Sequence, residues 1–234
     1  MKRTIQRIAN KDMKTCEGLQ DIYVDFQESD IRNARALIMG PSGTCYENAI
    51  LLFRIRFPND YPFSPPQVEY VPFNSIRIHP NLYANGKVCL SFLGTWSGPP
   101  WTSIMDLSSI LLSIQSLLNE NPLRNEPGYE KTKGTVNRNY NQVIQYNTID
   151  NLIIDAYHKL PEDCLVFKET IRRHLIQNNA MILKSIQSKL SIKKKIQLGI
   201  YRINCMIDYQ LLLDKYIEFS ESLTSHTESD KESD

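Results

Sequence analysis

Residues 61–89 read YPFSPPQVEYVPFNSIRIHPNLYANGKVC, and the prediction of this chain's fold starts from them. The first six residues contain three prolines, which cannot continue a β-ladder because proline has no backbone donor. An extended segment at 67–71 follows, and then the triplet His79-Pro80-Asn81. The stretch ends at Cys89, inside a turn-rich segment that runs to residue 100. A long irregular segment in a compact domain is typical of a functional site.

Alternating apolar residues predict β-strands on the N-terminal side of this stretch. Alternation at 23–26, 34–39 and 51–57 places apolar side chains on one face of each strand. Gly40-Pro41-Ser42-Gly43 marks a turn between the second and third strands. Together with 67–71, these segments predict a meander of four antiparallel strands.

Helices are predicted on both sides of this meander. The chain opens with an amphipathic helix that has a basic face, and its apolar positions are Ile5, Ile8, Ala9 and Met13. A central helix is predicted at 107–118 from apolar residues at i, i+3, i+4 and i+7. Because 136–219 contains one proline and one glycine, we predict three more helices, at 137–158, 162–190 and 194–219. The fold class is therefore α/β (α+β).

Charge and composition argue against several classes of protein. The net charge of +1 is too small for a general nucleic-acid binder, which needs a basic surplus. No segment has the roughly 18 apolar residues of a membrane span, and the charged N-terminus does not resemble a signal peptide. Five scattered cysteines without a C-x-x-C pair predict no disulfide scaffold and no metal site. We therefore expect a cytoplasmic or nuclear protein with no membrane or nucleic-acid partner.

Cys89 is the candidate nucleophile. It follows the turn at Asn85-Gly86 in a polar segment, where a substrate can reach a thiol. The alternative is a buried, inert cysteine, which is the commonest fate of a free thiol. The other four cysteines have no context that suggests chemistry, and they are Cys16, Cys45, Cys164 and Cys205.

The order of these features resembles the ubiquitin-conjugating enzymes. The resemblance rests on the proline turn at 61–66, the triplet at 79–81, Cys89 eight residues later, and the tryptophan and apolar helix that follow. It is similar in particular to extended members such as the conjugating domain of BRUCE. In those members, as here, about four extra residues separate the cysteine from its tryptophan, which is Trp101 in this chain. The resemblance implies a conjugating catalytic domain at 1–158 and a C-terminal helical extension at 159–219. The small, polar and acidic residues at 220–234 predict a disordered tail.

The resemblance implies a role for each residue of the site. Cys89 would accept ubiquitin from an activating enzyme that consumes ATP, and would pass it to a substrate lysine or a ligase. No cofactor would be bound by this chain. Asn81 would stabilise the oxyanion or only support its loop, and Glu126 would orient the incoming lysine or be a solvated charge. His79 and Pro80 would be structural.

The resemblance also implies two partner-binding surfaces. The basic face of the first helix would meet the activating enzyme, and its residues are Lys2, Arg3, Arg7 and Lys11. Phe63, with Ser103 and Ile104, would meet a ligase of the RING type. The family usually has Ser-Pro-Ala where this chain has Thr102-Ser103-Ile104, so an unusual ligase, or none, stays open.

Three alternative functions are kept open. Cys89-Leu90-Ser91 also resembles the SUMO-conjugating enzyme, so the modifier could be a ubiquitin-like protein. A catalytically silent relative that only binds ubiquitin would lack the thiol. A cysteine hydrolase would need His79 free to face Cys89.

The C-terminal helices could be a simple cap on the domain or a docking element.

Overall fold

A four-stranded antiparallel sheet is the centre of the structure. The computed structural model describes residues 2–229, with side chains described as far as residue 224. The strands pair in sequence order, and they are β1 (Ile22–Phe26), β2 (Asn33–Met39), β3 (Ile50–Arg56) and β4 (Gln67–Val71). Ala36 lies opposite Phe53, which lies opposite Tyr70, so these side chains form one buried row across the sheet. The predicted meander is confirmed.

Three helices accompany this sheet. Helix α1 consists of α-helical Lys2–Arg7, a π-helical turn at Ile8–Asp12 and α-helical Met13–Cys16. Helix α2 is Leu107–Leu117. Helix α3 is Thr135–Ile149, and it continues through a π-helical segment, Asp150–Asp155, into Ala156–His158. Asp106 caps α2 by accepting a hydrogen bond from the backbone N–H of Ser109 at 3.0 Å. The buried face of α2 consists of Leu107, Ile110, Leu111 and Ile114. The predicted leading and central helices are confirmed.

The buried face of α1 differs from the predicted one. Its buried residues are Thr4, Ile8, Asp12 and Cys16, whereas Ile5 and Met13 are more than one-third exposed. The polar side chains of Thr4 and Asp12 can be buried because they form hydrogen bonds. Asp12 accepts hydrogen bonds from the Tyr61 hydroxyl and from the backbone N–H of Leu107. Thr4 donates to the carbonyl of Asn59, so α1 is joined to the proline turn.

The predicted helix at 194–219 is wrong for 194–208, whereas 209–219 is helical as predicted. Residues 193–208 form a hairpin of two antiparallel strands, β5 (Lys193–Leu198) and β6 (Ile203–Asp208), which we call the C-terminal hairpin. Its inward residues are Ile196, Ile203, Cys205 and Ile207, and in β6 they alternate with exposed residues. A period of two therefore fits this segment better than the helical period assigned to its isoleucines.

The C-terminal extension is consequently mixed rather than wholly helical. A 3₁₀ segment at Glu162–Phe167 leads into α4 (Lys168–Gln187), and the C-terminal hairpin leads into α5 (Tyr209–Ser229). Helix α5 runs through Ser229 and therefore includes the first part of the segment predicted as a disordered tail; the remainder, 230–234, lies outside the described residues. Between residues 2 and 229, no helix is long and apolar enough to cross a bilayer.

The extension is bonded to the N-terminal domain at several points. Asp163 accepts two hydrogen bonds from the Arg54 guanidinium on the outer face of the sheet, at 2.8 and 3.0 Å. His174 on α4 lies 2.9 Å from the amide oxygen of Asn48. The hairpin packs on α3, where Lys194 donates to Gln142 at 2.7 Å. These contacts therefore fix the extension to the sheet, to the residues just before β3 and to α3.

Candidate active site

The segment from His79 to Cys89 is folded by short-range backbone bonds. Leu82 forms isolated bridges with both His79 and Val88. Gly86 turns the chain with φ of 89°, and an added Cβ would lie 3.0 Å from the carbonyl oxygen of Tyr70. The backbone N–H of Cys89 then donates to the carbonyl of Asn81 at 2.9 Å. The triplet and the cysteine are thereby held side by side.

His79 is buried, and both of its ring nitrogens are engaged. Nδ1 accepts from the backbone N–H of Asn81 at 2.9 Å, so Nε2 carries the proton and donates to the carbonyl of Leu117 at 3.0 Å. Burial lowers the pKa of His79 to about 3, so the ring is neutral near pH 7. These two hydrogen bonds support a structural role for His79. They leave no ring nitrogen free to act as a base for Cys89.

Asn81 reaches directly to the backbone of the cysteine. Its amide nitrogen donates to the carbonyl of Cys89 at 2.7 Å, while its amide oxygen is buried without a hydrogen-bond partner in the described part of the chain. This bond supports the loop-tying alternative. The oxyanion role stays a prediction, since the second amide hydrogen of Asn81 is still available for it.

Cys89 is fully buried, which contradicts the expectation of an accessible thiol. Its exposed fraction is 0%. The four remaining cysteines are also buried, and burial raises the pKa of Cys45 and of Cys16 to about 12 and that of Cys164 to about 11. Those three stay protonated near neutral pH. Cys89 must become exposed before it can react.

The extra residues between Cys89 and Trp101 fold back beside the thiol. The Thr95 hydroxyl accepts from the backbone N–H of Leu90 at 3.0 Å and donates to the carbonyl of Val88 at 2.7 Å. Gly98, with φ of 140°, lies so close to Ser91 that an added Cβ would be 2.8 Å from the Ser91 Cβ. We call residues 91–98 the insert. It is pinned to the residues on either side of Cys89.

Glu126 takes part in a cluster that the sequence analysis missed. Its carboxylate accepts a hydrogen bond from the hydroxyl of Tyr201, at the tip of the C-terminal hairpin, with an O–O distance of 2.5 Å. The guanidinium of Arg77 is 3.8 Å from the same carboxylate oxygen and lies between the rings of Tyr83 and Tyr201. Alternation in β6 was the signal that could have placed Tyr201 at a turn rather than inside a helix.

The two predicted partner surfaces meet along one side of the domain. Arg7 donates to the carbonyl of Met105 and Lys11 to that of Ile104, both at 2.7 Å, so these side chains hold the 103–105 loop. Lys2 and Arg3 are exposed. The basic face is therefore divided between a structural part and a free part.

The residues predicted to meet a ligase are held on two adjacent loops. Phe63 is 75% exposed and Ile104 is 78% exposed. The indole N–H of Trp101 donates to the carbonyl of Pro62 at 2.7 Å and joins the two loops. Ser103 uses its backbone carbonyl as an acceptor for Arg7 at 3.4 Å. The structure brings the predicted apolar residues to one surface.

Comparison with known proteins agrees with this architecture. The family model described as "Ubiquitin-conjugating enzyme" matches residues 5–148, which is more than half of the chain. The chain therefore belongs to the ubiquitin-conjugating enzyme family. It is similar to ubiquitin-conjugating enzyme E2 Z of Xenopus tropicalis, with 50% identity over 123 residues that cover 51% of this chain and 39% of the relative.

Two further relatives confirm the extended, BRUCE-like subgroup. The human dual E2 ubiquitin-conjugating enzyme/E3 ubiquitin-protein ligase BIRC6 is 37% identical over 174 residues, which cover 69% of this chain and 4% of that protein. Human ubiquitin-conjugating enzyme E2 Z is 47% identical over 129 residues, which cover 54% of this chain and 36% of the relative. The matched part of the chain thus spans less than two-fifths of the length of these relatives.

Proposed function

We propose that this chain accepts ubiquitin from an activating enzyme as a thioester on Cys89 and transfers it to a substrate lysine or to a ligase thiol. The observation that carries the proposal is the position of Cys89, whose backbone is bonded on both sides to Asn81 within the family's triplet. The relatives described above are named as ubiquitin-conjugating enzymes, which supports ubiquitin as the modifier.

The reaction would proceed in two acyl transfers. The Cys89 thiolate attacks the thioester between ubiquitin and the activating enzyme; a new C–S bond forms, and the enzyme's thiolate leaves. The neutral amine of a lysine then attacks the Cys89 thioester. A C–N bond forms, the Cys89 thiolate leaves, and the amine loses a proton. In this reaction ATP is used only by the activating enzyme.

Two groups of this chain would assist the second transfer. The Asn81 amide would donate to the oxyanion that develops on the thioester carbonyl. Glu126 would orient the attacking lysine, which must be neutral although its ordinary pKa is about 10.4. His79 takes no proton in this proposal, because its nitrogens are bonded to backbone groups.

The partners would bind on the surfaces described above. Lys2 and Arg3 would contact the activating enzyme, and Phe63 with Ile104 would contact a ligase where one is used. We also propose a cytoplasmic or nuclear location, which the five unpaired cysteines support.

A charging assay tests the proposed function. The chain is incubated with activating enzyme, ATP and ubiquitin, and is run on a non-reducing gel beside Cys89→Ala and Cys164→Ala. We expect a reductant-sensitive ubiquitin adduct for the wild type and for Cys164→Ala, a matched control because Cys164 is equally buried. Cys89→Ala should form none.

Other outcomes separate the alternative functions. A wild type that forms an adduct with SUMO but not with ubiquitin would identify a different modifier. A wild type that forms no adduct with any modifier, yet binds ubiquitin, would be the silent relative. Cleavage of a ubiquitin amide or ester would indicate a hydrolase, which the bonds of His79 argue against.

A further inference from the structure

The tip of the C-terminal hairpin has an unusual backbone. Tyr201 has φ of 55° and ψ of 12°, and Arg202 has φ of 51°, so two consecutive residues other than glycine are left-handed. This conformation is unfavourable for a residue that has a Cβ, and it persists where surrounding contacts hold it. Here the contacts belong to Tyr201, whose side chain points into the domain rather than into solvent.

Tyr201 makes three contacts with the domain. Its hydroxyl donates to the Glu126 carboxylate, its ring lies 4.3 Å from the Arg77 guanidinium, and its edge packs on Tyr140 with ring centroids 6.2 Å apart. Burial and the bond to Glu126 raise the pKa of Tyr201, so the phenol stays protonated and remains a donor.

Each of the two polar partners belongs to a segment that is bonded to the triplet His79-Pro80-Asn81. Arg77 donates to the carbonyl of Pro80, immediately before Asn81. Glu126 follows the 3₁₀ turn Pro122–Asn125, and the amide of Asn125 lies 3.3 Å from the ring of His79. The hairpin tip is therefore bonded to the loop that follows α2, and it contacts the triplet through Arg77.

The carboxylate of Glu126 is left with one available oxygen. Oε2 accepts the bond from Tyr201, and no described residue donates to Oε1. The side chain is 23% exposed, so an incoming amine can reach it. A carboxylate fixed at one oxygen is better oriented for a second partner than one that rotates freely, because less rotational freedom is lost on binding.

We propose that Tyr201 is a positioning residue for transfer to lysine, acting through Glu126 and Arg77. The C-terminal hairpin is then part of the catalytic machinery and not only a cap. This inference rests on the proposed function, since it concerns the second transfer from Cys89. It assigns Tyr201 no contact with the reacting atoms.

A discharge assay tests the inference on the full chain. The chain is charged with ubiquitin, the activating enzyme is stopped, and the thioester is chased with free lysine or with hydroxylamine, whose amine is already neutral near pH 7. Tyr201→Phe keeps the ring and loses the hydroxyl. The matched control is Tyr146→Phe, whose hydroxyl lies 3.5 Å from the carbonyl of Asp208 at the opposite end of the hairpin.

We expect Tyr201→Phe to charge normally and to discharge to lysine about ten- to hundredfold more slowly, as loss of one hydrogen bond to a charged group implies. Discharge to hydroxylamine should be unchanged. Tyr146→Phe should behave as the wild type. Glu126→Gln should be selectively slow with lysine, and the double variant no slower than Glu126→Gln alone.

Three results would overturn the inference. An unchanged lysine rate in Tyr201→Phe would show that the hydroxyl has no role. Equal slowing with lysine and hydroxylamine would show a merely structural role. Additive losses in the double variant would show that Tyr201 does not act through Glu126. Failure of the wild type to charge is a separate result, because it overturns the proposed function and this inference with it.

Discussion

The burial and the hydrogen bonds of individual site residues change the roles that their type and position suggest. His79 lies near Cys89 in the fold, but its two ring nitrogens are bonded to Asn81 and Leu117. Cys89 lies in a polar segment, yet it is fully buried. Residue type and spacing indicated which residues form the site, whereas their hydrogen bonds decide what each can do.

The buried neutral state of His79 should make stability depend on pH. The folded pKa is about 3 and the ordinary value is 6.5, so below pH 6.5 the unfolded chain binds a proton that the folded chain does not. The contribution of the neutral His79 ring to the free energy of unfolding is complete above pH 6.5 and is lost as the pH falls toward 3. Between pH 7 and pH 5 we expect a loss of about 2 kcal/mol in the free energy of unfolding.

Urea unfolding of variants at the two pH values measures this contribution. His79→Gln should reduce the difference between pH 7 and pH 5 by about 2 kcal/mol. His158→Gln, at an exposed histidine, should leave the difference unchanged. Equal pH dependence in the wild type and His79→Gln would contradict a neutral buried ring.

At the scale of elements, the insert is bonded to both neighbours of Cys89, so we expect its movement to expose the thiol. It is pinned through Thr95 and through the close approach of Gly98 to Ser91. Thr95→Val removes the hydroxyl, and Gly98→Ala places a Cβ where there is no room. Each change should raise the fraction of molecules with an exposed thiol about fivefold, which corresponds to roughly 1 kcal/mol.

Alkylation of the folded protein, followed by mass spectrometry of the cysteine peptides, measures this exposure. Labelling of Cys89 should rise in both variants, while labelling of Cys45 and Cys164 in the same molecules should not. Ser97→Ala, at an exposed position of the insert, should change nothing. Labelling that rises at every cysteine would indicate general unfolding rather than movement of the insert.

The strands and helices of the N-terminal domain could be predicted because each has one clear period. The C-terminal hairpin could not, since Ile196, Ile200, Ile203 and Ile207 also fit a helical spacing. The isoleucines of β6 point inward, whereas Ile200 lies in a turn and is not part of either strand. In a sequence where both periods fit, long-range packing decides between helix and strand.

The whole molecule should unfold as one unit, although we predicted a domain boundary at 158. His174 on α4 lies 2.9 Å from the amide oxygen of Asn48, and the buried Ile182 of α4 lines a small cavity with Cys45 and Ile153. Ile182→Ala should destabilise the chain by about 2–5 kcal/mol. Met181→Ala is the matched control, because Met181 is 41% exposed.

Tryptophan fluorescence is a suitable probe, since both tryptophans, Trp96 and Trp101, lie in the N-terminal domain. If the extension and the domain are one cooperative unit, Ile182→Ala should move the fluorescence transition in urea to lower concentration. A loss of helical signal that precedes an unchanged fluorescence transition would instead indicate two independent units.

The sequence by itself determined the family, the order of the four strands and the candidate nucleophile, because proline turns, strand alternation and the spacing from His79 to Cys89 are local properties. Only the tertiary structure decided that Cys89 is buried and that Tyr201 contacts Glu126, 75 residues earlier in the chain. Contacts between such distant segments depend on how whole elements pack against each other. No local period or motif encodes them.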